Sequence, residues 1–429
     1  MDSDARLLKH IILIFIWVEF IWQAYLNRRQ YDKLLYTLEI PREIRHAMSP
    51  DLFKLSREFA LASLEFHLAR SVIIVVFSSI MINGEYMSRI WSYVQNKNVY
   101  ESEILTSCIW LSTLSLITTS VDLPFDLYYT FILERSLGFN DITLKGFLRA
   151  LILGLIITQI MSIGVVGIIV TVIQHVGHHV FIIIWLFLCI ILSISISLAP
   201  LIKAPIPTSL IEFPQGNLKN KIETLCDGVG LHLKNVEMLL NNTSANEHEH
   251  VFFYGIFSQY LVVSAYILPI PHLQNKLSEQ EILALIGHQL GHWFNNHILK
   301  KFVLSEVVLL IWFLLFFNIF EKEVIYQAFG FHDQRPIFVG ILLSMQYIMM
   351  PYNLLTAFLL ISLSRKFEYQ ADDFAIRLGM KQALRKALMG IYEVNIFKCP
   401  ILDHLYSKCG FYQPSLLERL KHLGSTENV

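Results

Sequence analysis

Charge is scarce in this chain. Only 16% of its 429 residues are Asp, Glu, Lys or Arg, against roughly 25% in a soluble globular protein. With 54% hydrophobic residues it cannot assemble a surface of ordinary polarity, so a freely soluble globule is excluded. A basic surplus is missing too: the formal net charge is -1, which argues against a nucleic-acid partner. Cysteine is sparse, five in all (Cys108, Cys189, Cys226, Cys399, Cys409), with no C-x-x-C spacing. Reduced, structural thiols are expected, not a disulfide framework. No internal repeat is present. No small-residue cleavage site follows the first apolar run, whose start (Met1-Asp2-Ser3-Asp4) is acidic, so it reads as a retained span.

Long apolar runs are what the chain has instead. They lie at Leu8–Leu26, Ser71–Trp91, Leu105–Leu133, Phe147–Gln174, Val180–Pro200, Phe302–Phe320 and Pro336–Leu363. Each approaches or exceeds the roughly 20 residues needed to cross a bilayer, which predicts seven spans, the second interrupted by Asn83 and Glu85. Ionisable groups inside spans usually face an interior cavity, the expectation for Glu85 and Asp122. Trp110, Trp185 and Trp312 read as packing or lipid residues. Lys and Arg crowd the first loop (Arg28, Arg29, Lys33, Arg42, Arg45, Lys54, Arg57) and the segment after the last span (Arg365, Lys366, Arg377, Lys381, Arg385, Lys386). That bias places the C-terminus in the cytoplasm and the N-terminus opposite. The organisation expected is a membrane region at 1–201, a more polar part at 202–301, two spans within 302–363, and a second polar part at 364–429. Sequon-like triplets at Asn241 and Asn242 fall on the cytoplasmic side and are discounted.

One stretch carries chemistry. "LIGHQLGHW" (Leu285–Trp293) differs by one letter from the H-E-x-x-H helix of zinc proteases. In that motif two histidines four apart bind metal, and the glutamate takes a proton from the attacking water. Gln289 holds the glutamate's place, and its amide cannot accept that proton. With 16 histidines in the chain, chance supplies on the order of 0.6 such pairs, and a decoy does occur at His175 and His179 in an interfacial loop. Context favours His288 and His292. Ser278-Glu279-Gln280-Glu281 forms a capping box; Ile282, Leu283, Ile286, Leu290 and Trp293 repeat at helical spacing. Both imidazoles then share a face. Gly287 and Gly291 cost helix propensity, which suggests a close neighbour.

Catalytic zinc usually takes three protein ligands. "LSRKFEYQADDFA", just past the last span, offers Glu368 as the third and Asp372, one helical turn on, as the carboxylate that orients a ligand histidine. His297, five residues after His292, faces elsewhere on the helix and is expected to cap or lie at the surface.

At this point the chain resembles the type I CAAX prenyl proteases, integral-membrane zinc metalloproteases. The matching stretches are "LPFDLYYTFILERSLGFN" (Leu123–Asn140), "FFYG" (Phe252–Gly255), "GHQLGHW", "AFGFHDQRP" (Ala328–Pro336), "PYN" (Pro351–Asn353), "SRKFEYQAD" (Ser364–Asp372) and "PSLLERL" (Pro414–Leu420). The resemblance implies an all-α polytopic fold: seven transmembrane helices in a barrel around a water-filled chamber, with a cytoplasmic-side zincin-like domain. It implies one zinc ion on His288, His292 and Glu368, support from Asp372, and Arg419 in the C-terminal part of the site. A strand through His250, Phe252 and Tyr254 would bind the substrate backbone. The implied reaction removes the last three residues of farnesylated CAAX tails, at the membrane of the endoplasmic reticulum or inner nucleus. Prenylated or amphipathic tails and membrane lipid are the implied partners.

Three positions depart from the family pattern. Gln289 replaces the general base. Gln413 stands where a histidine helps to stabilise the tetrahedral intermediate. His250 stands where asparagine is usual. A positioned base is worth roughly 10²–10⁴ in rate, and an oxyanion donor roughly 10²–10³. A deliberate Glu-to-Gln exchange would usually stand alone; departures clustered around one site point to natural divergence. Low or absent activity is therefore expected, with zinc retained. The alternatives are a pseudoprotease that holds such tails uncut, and a chamber protein in membrane-protein quality control.

Overall fold

The computed structural model of the chain describes residues 3–45, 48–97, 102–136, 141–176, 180–203, 210–240, 250–254, 259–268, 277–391 and 399–425. In chain order the helices are α1 (Ser3–Tyr36), α2 (Pro50–Asn83), α3 (Tyr86–Lys97), α4 (Glu103–Tyr128), α5 (Leu144–Val176), α6 (Val180–Lys203), α7 (Asn217–Gly228), α8 (Glu279–Phe294), α9 (His297–Ile319), α10 (Glu323–Ala328), α11 (Ile337–Leu343), α12 (Met350–Arg377), α13 (Lys381–Gly390), α14 (His404–Gly410) and α15 (Leu416–Ser425). The strands are β1 (Leu210–Glu212), β2 (Leu233–Leu239), β3 (Val251–Tyr254) and β4 (Gln259–Ser264). The helical class holds, with one small sheet added to it.

Two compact units share the chain. The first comprises Met1–Asp32, Glu58–Trp185 and Leu309–Thr356; the second, Lys33–Arg57, Leu186–Val308 and Ala357–Val429.

In the first unit, α1, α2, α4 and α5 are long and apolar enough to span a bilayer, as is α9, which continues into it. The α5 side chains Ile160, Met161 and Ile168 are 64%, 64% and 66% exposed, a lipid-facing surface that water would not tolerate. A further span is broken: Ile337–Ile348 and Met350–Arg377 meet at 51°. A π-turn over Ser344–Ile348 and Pro351 at the start of α12 account for the bend. Among the described residues this makes five of the expected seven spans, or six with the bent pair. The remaining expected run, Val180–Pro200, falls on α6 (Val180–Lys203), within which Ile182–Ile191 is the apolar stretch among the described residues.

The second expected span is corrected in its extent. It ends at Asn83, not Trp91, because Glu85 takes φ 54° and breaks the helix. Glu85 sits in that break and pairs with Lys9 at 3.1 Å. Trp91 is on α3, in a core with Trp110, Tyr326 and Phe329. Trp110 is wholly buried and donates to the Met87 carbonyl at 2.9 Å, a packing residue as read. Asp122 accepts from Arg70 at 2.7 Å, so both ionisable span groups are paired within the unit.

The second unit is built on a four-stranded sheet of order β1-β2-β4-β3, with β2 and β4 parallel and the other pairs antiparallel. Its core joins Val236, Leu261 and Val263 of the sheet to Ile222 of α7, Ile282, Ile286 and Leu290 of α8, Phe374 of α12 and Leu384 of α13. The apolar period read along α8 is therefore its buried face.

Candidate metal centre

The start of α8 is closed by the capping box as expected. The Ser278 hydroxyl accepts from the Glu281 N–H, and Glu281 Oε2 accepts from the Ser278 N–H at 2.8 Å. The helix then runs against α12 at backbone distance. A Cβ on Gly291 would lie 2.9 Å from Ala371 Cα and 2.8 Å from Phe374 Cβ, so only glycine fits. That approach brings Glu368 and Asp372 of α12 beneath the histidine face. Gly287 has more room: its nearest neighbour is the flexible Met380 Sδ at 3.2 Å.

Glu368 Oε2 lies 3.6 Å from His288 Nε2, and Glu368 Oε1 lies 3.6 Å from His292 Nε2. Ligand atoms of the three residues all fall within 4.8 Å of one another. Behind them, Asp372 Oδ1 accepts from His288 Nδ1 at 2.8 Å, which leaves the Nε2 lone pair for a metal. Arg419 in turn grips Asp372. Burial and Arg419 both push the His288 pKa down, but the Asp372 and Glu368 carboxylates outweigh them and leave it raised. His292 faces the same burial with only Glu368 in its favour, and its pKa is lowered. Two imidazoles and one carboxylate, converging with Nε2 atoms inward, suit tetrahedral zinc with one position open.

The C-terminal segment is locked to α12. Ser415 and Glu418 form a second capping box, with the Ser415 N–H donating to Glu418 Oε2 at 2.8 Å. Arg365 donates to Glu418 Oε1 at 2.8 Å and to the Gln413 carbonyl at 3.2 Å. That clamp presents Gln413 and Arg419 to a cavity of about 230 Å³, whose walls also include His250, His288, Gln289, His292 and Glu368. Leu285, Leu388 and Ile391 supply its apolar side.

Comparisons with known proteins decide what this arrangement belongs to. Residues 30–207 match the family described as CAAX prenyl protease N-terminal, five membrane helices. Residues 212–427 match Peptidase family M48. The chain belongs to the CAAX prenyl protease family. It is 30% identical to the CAAX prenyl protease 1 homolog of Arabidopsis thaliana, over 95% of each chain. It is 28% identical to the Homo sapiens homolog, covering 99% of this chain and 96% of that one. The crystal structure of S. mikatae Ste24p superposes with a TM-score of 0.70 at 28% identity, over 97% of this chain and 98% of the other. This is a multi-pass membrane protein of a zinc metalloprotease family, mostly helical.

Gln289, Gln413 and His250, the three positions read as departures in the sequence, all line one cavity and are neighbours in space. His297 departs from its expected place, and two side chains of β3 lie off the cavity. Phe252 and Tyr254 turn away from the cavity: they pack on the opposite face of the sheet with Leu239 and Val262, and Tyr254 stacks on Tyr260. Within β3 the side chains alternate, and Val251, one residue off, lines the cavity; His250 precedes the strand, where its ring stacks on Tyr266. The His250 carbonyl accepts from the Ser264 N–H at 2.8 Å, so the next hydrogen-bonded pair is Phe252 with Val262. The Val251 and Phe253 main-chain groups therefore point to the free edge of β3. His297 is 1% exposed and is neither a cap nor a surface residue. Of the decoy pair, His175 bonds the Thr171 carbonyl at 2.8 Å, and His179 lies outside the described residues, as do Asn241, Asn242 and Gly255. The Arg365–Glu418 clamp was missed, although the S-x-x-E spacing of "PSLLER" was a readable signal.

Proposed function

We propose that the chain holds one zinc ion on His288, His292 and Glu368 and binds the C-terminal tails of prenylated proteins, cutting them slowly because residue 289 is an amide. The observation that carries this reading is Gln289 itself, in the cavity wall between two metal-ligand histidines. Zinc bound there would supply Lewis acidity toward a peptide carbonyl and toward water. The chain's own residues do the rest. Val251 and Phe253 offer main-chain donors and acceptors along the β3 edge, where an extended tail can add as a strand. Leu285, Leu388 and Ile391 receive its apolar side chains. Gln289 can donate to or accept from a water or a carbonyl, but it cannot take up a proton. The missing carboxylate raises the barrier by about 3–5.5 kcal/mol.

A second reading, retention of the tail without cutting, is favoured by Gln413 in the same cavity. The residence proposed is the endoplasmic reticulum or inner nuclear membrane, with the zinc helix and the C-terminus on the cytoplasmic side. The test is cleavage of a farnesylated CAAX peptide by purified, zinc-loaded protein in detergent. Turnover abolished by a chelator and by His288→Ala supports the slow protease. No turnover from folded, zinc-containing protein that still binds the peptide supports retention. A zinc content far below one per chain after chelator-free purification overturns the reading.

A further inference from the structure

The end of α8 carries a device that the motif does not predict. Asn295 Nδ2 donates to the Gly291 carbonyl at 2.8 Å, and Asn296 takes φ 52°. That left-handed residue turns the chain sharply, so α9 starts with His297 folded back against the helix it has just left. His297 is buried, and its ring stacks on Phe367 with centroids 4.2 Å apart and planes at 10°. His297 Nδ1 lies 3.0 Å from His292 Nδ1, and His297 Nε2 lies 3.0 Å from Gln370 Oε1.

These partners set the protons. An amide oxygen only accepts, so His297 Nε2 carries the hydrogen and its Nδ1 is the bare nitrogen. His292 Nδ1–H then donates to His297, and the His292 lone pair is left on Nε2, the atom facing Glu368. The reverse arrangement would put the proton on Nε2 and close that nitrogen to a metal. With both its nitrogens engaged, His297 has no lone pair to serve as a fourth ligand. We propose that His297, held by Gln370 and Phe367, is the positioning residue for the metal ligand His292, fixing its tautomer and ring orientation as Asp372 does for His288. The proposal rests on the zinc reading above. It makes the two ligands unequal: His288 is backed by a carboxylate, His292 by a neutral imidazole.

The experiment measures zinc affinity by competition with a chromophoric chelator, using the full-length chain in detergent. The melting temperature of the zinc-loaded and chelated forms and the visible spectrum of the Co²⁺ form are recorded alongside. His297→Phe keeps the stack on Phe367 and loses both hydrogen bonds; His297→Gln can keep an acceptor for His292 and a donor for Gln370. Zinc binding is expected to weaken about 10–100-fold in His297→Phe, the usual effect of removing such a partner. The gap between loaded and chelated melting should shrink, the Co²⁺ bands should move, and His297→Gln should recover most of the loss. Zinc affinity in folded His297→Phe equal to that of the unaltered chain overturns the proposal. Should His297→Phe not fold, Gln370→Leu decides: weakened zinc supports the relay, unchanged zinc overturns it. An unaltered chain that binds no zinc fails the metal reading itself, a result distinct from a variant that binds as well as its parent.

Discussion

Arg419 donates to both oxygens of Asp372, Nε to Oδ2 at 2.9 Å and Nη2 to Oδ1 at 2.5 Å, and Asp372 is fully buried behind His288. The pair does two jobs at once. It keeps an anion next to His288 Nδ1, and it neutralises the guanidinium that the C-terminal helix brings into the core. Asp372→Asn breaks both. Chemical denaturation should show a loss of about 3–5 kcal/mol, the cost of a buried charge left without its partner. Zinc affinity in the same variant should fall about 10–100-fold.

On the proposed reading, position 289 governs rate and leaves metal binding alone. Gln289→Glu places a carboxylate in the cavity without touching a ligand, so zinc content should be unchanged. Turnover of a farnesylated CAAX peptide should rise by roughly 10²–10⁴. Adding Gln413→His should raise it further, by less than the product of the single effects, since groups acting on one transition state are not additive.

The two glycines of the zinc helix should respond differently. Gly291→Ala drives a methyl group into the α12 backbone at Ala371 and forces the two helices apart. The expected cost is about 1–3 kcal/mol, with weakened zinc binding because His292 and Glu368 separate. Gly287→Ala presses only on the Met380 thioether at 3.2 Å, which can swing away, with Leu378 Cδ1 at 3.4 Å in ordinary contact, and should leave both properties close to the parent's.

Cys226 is buried in the core of the second unit, and burial, with Asp227 and Glu223 adding to it, pushes its thiol up to about 12. The thiolate is the reactive form, so at pH 8 this cysteine stays protonated and shielded. Native protein treated with iodoacetamide should show no modification at Cys226 by mass spectrometry, and denatured protein should show full modification.

Much of the site was legible because its signals are local. The capping box, the four-residue spacing of His288 and His292, and the same spacing of Glu368 and Asp372 each lie within one helix. Helical geometry then puts each pair on one face. Gly291 was readable as a close approach for the same reason, although not what approached. What was not legible was of another kind. Phe252 and Tyr254 depended on which face of a four-residue strand met α8, and one residue of register exchanges the faces. Trp91 was assigned to a span because apolar character runs past Asn83, while a single left-handed residue at Glu85 had already ended the helix.

The sequence by itself determined that this chain lives in a bilayer, where the H-x-x-x-H helix starts, and that an amide, Gln289, follows its first histidine; composition and short-range periodicity suffice for each. Only the tertiary structure decided that Gln289, Gln413 and His250 share one cavity, that Arg419 serves Asp372, and that His297 turns back onto His292. Those relationships join residues brought together by packing between helices or by one left-handed turn at Asn296, and neither leaves a period in the sequence.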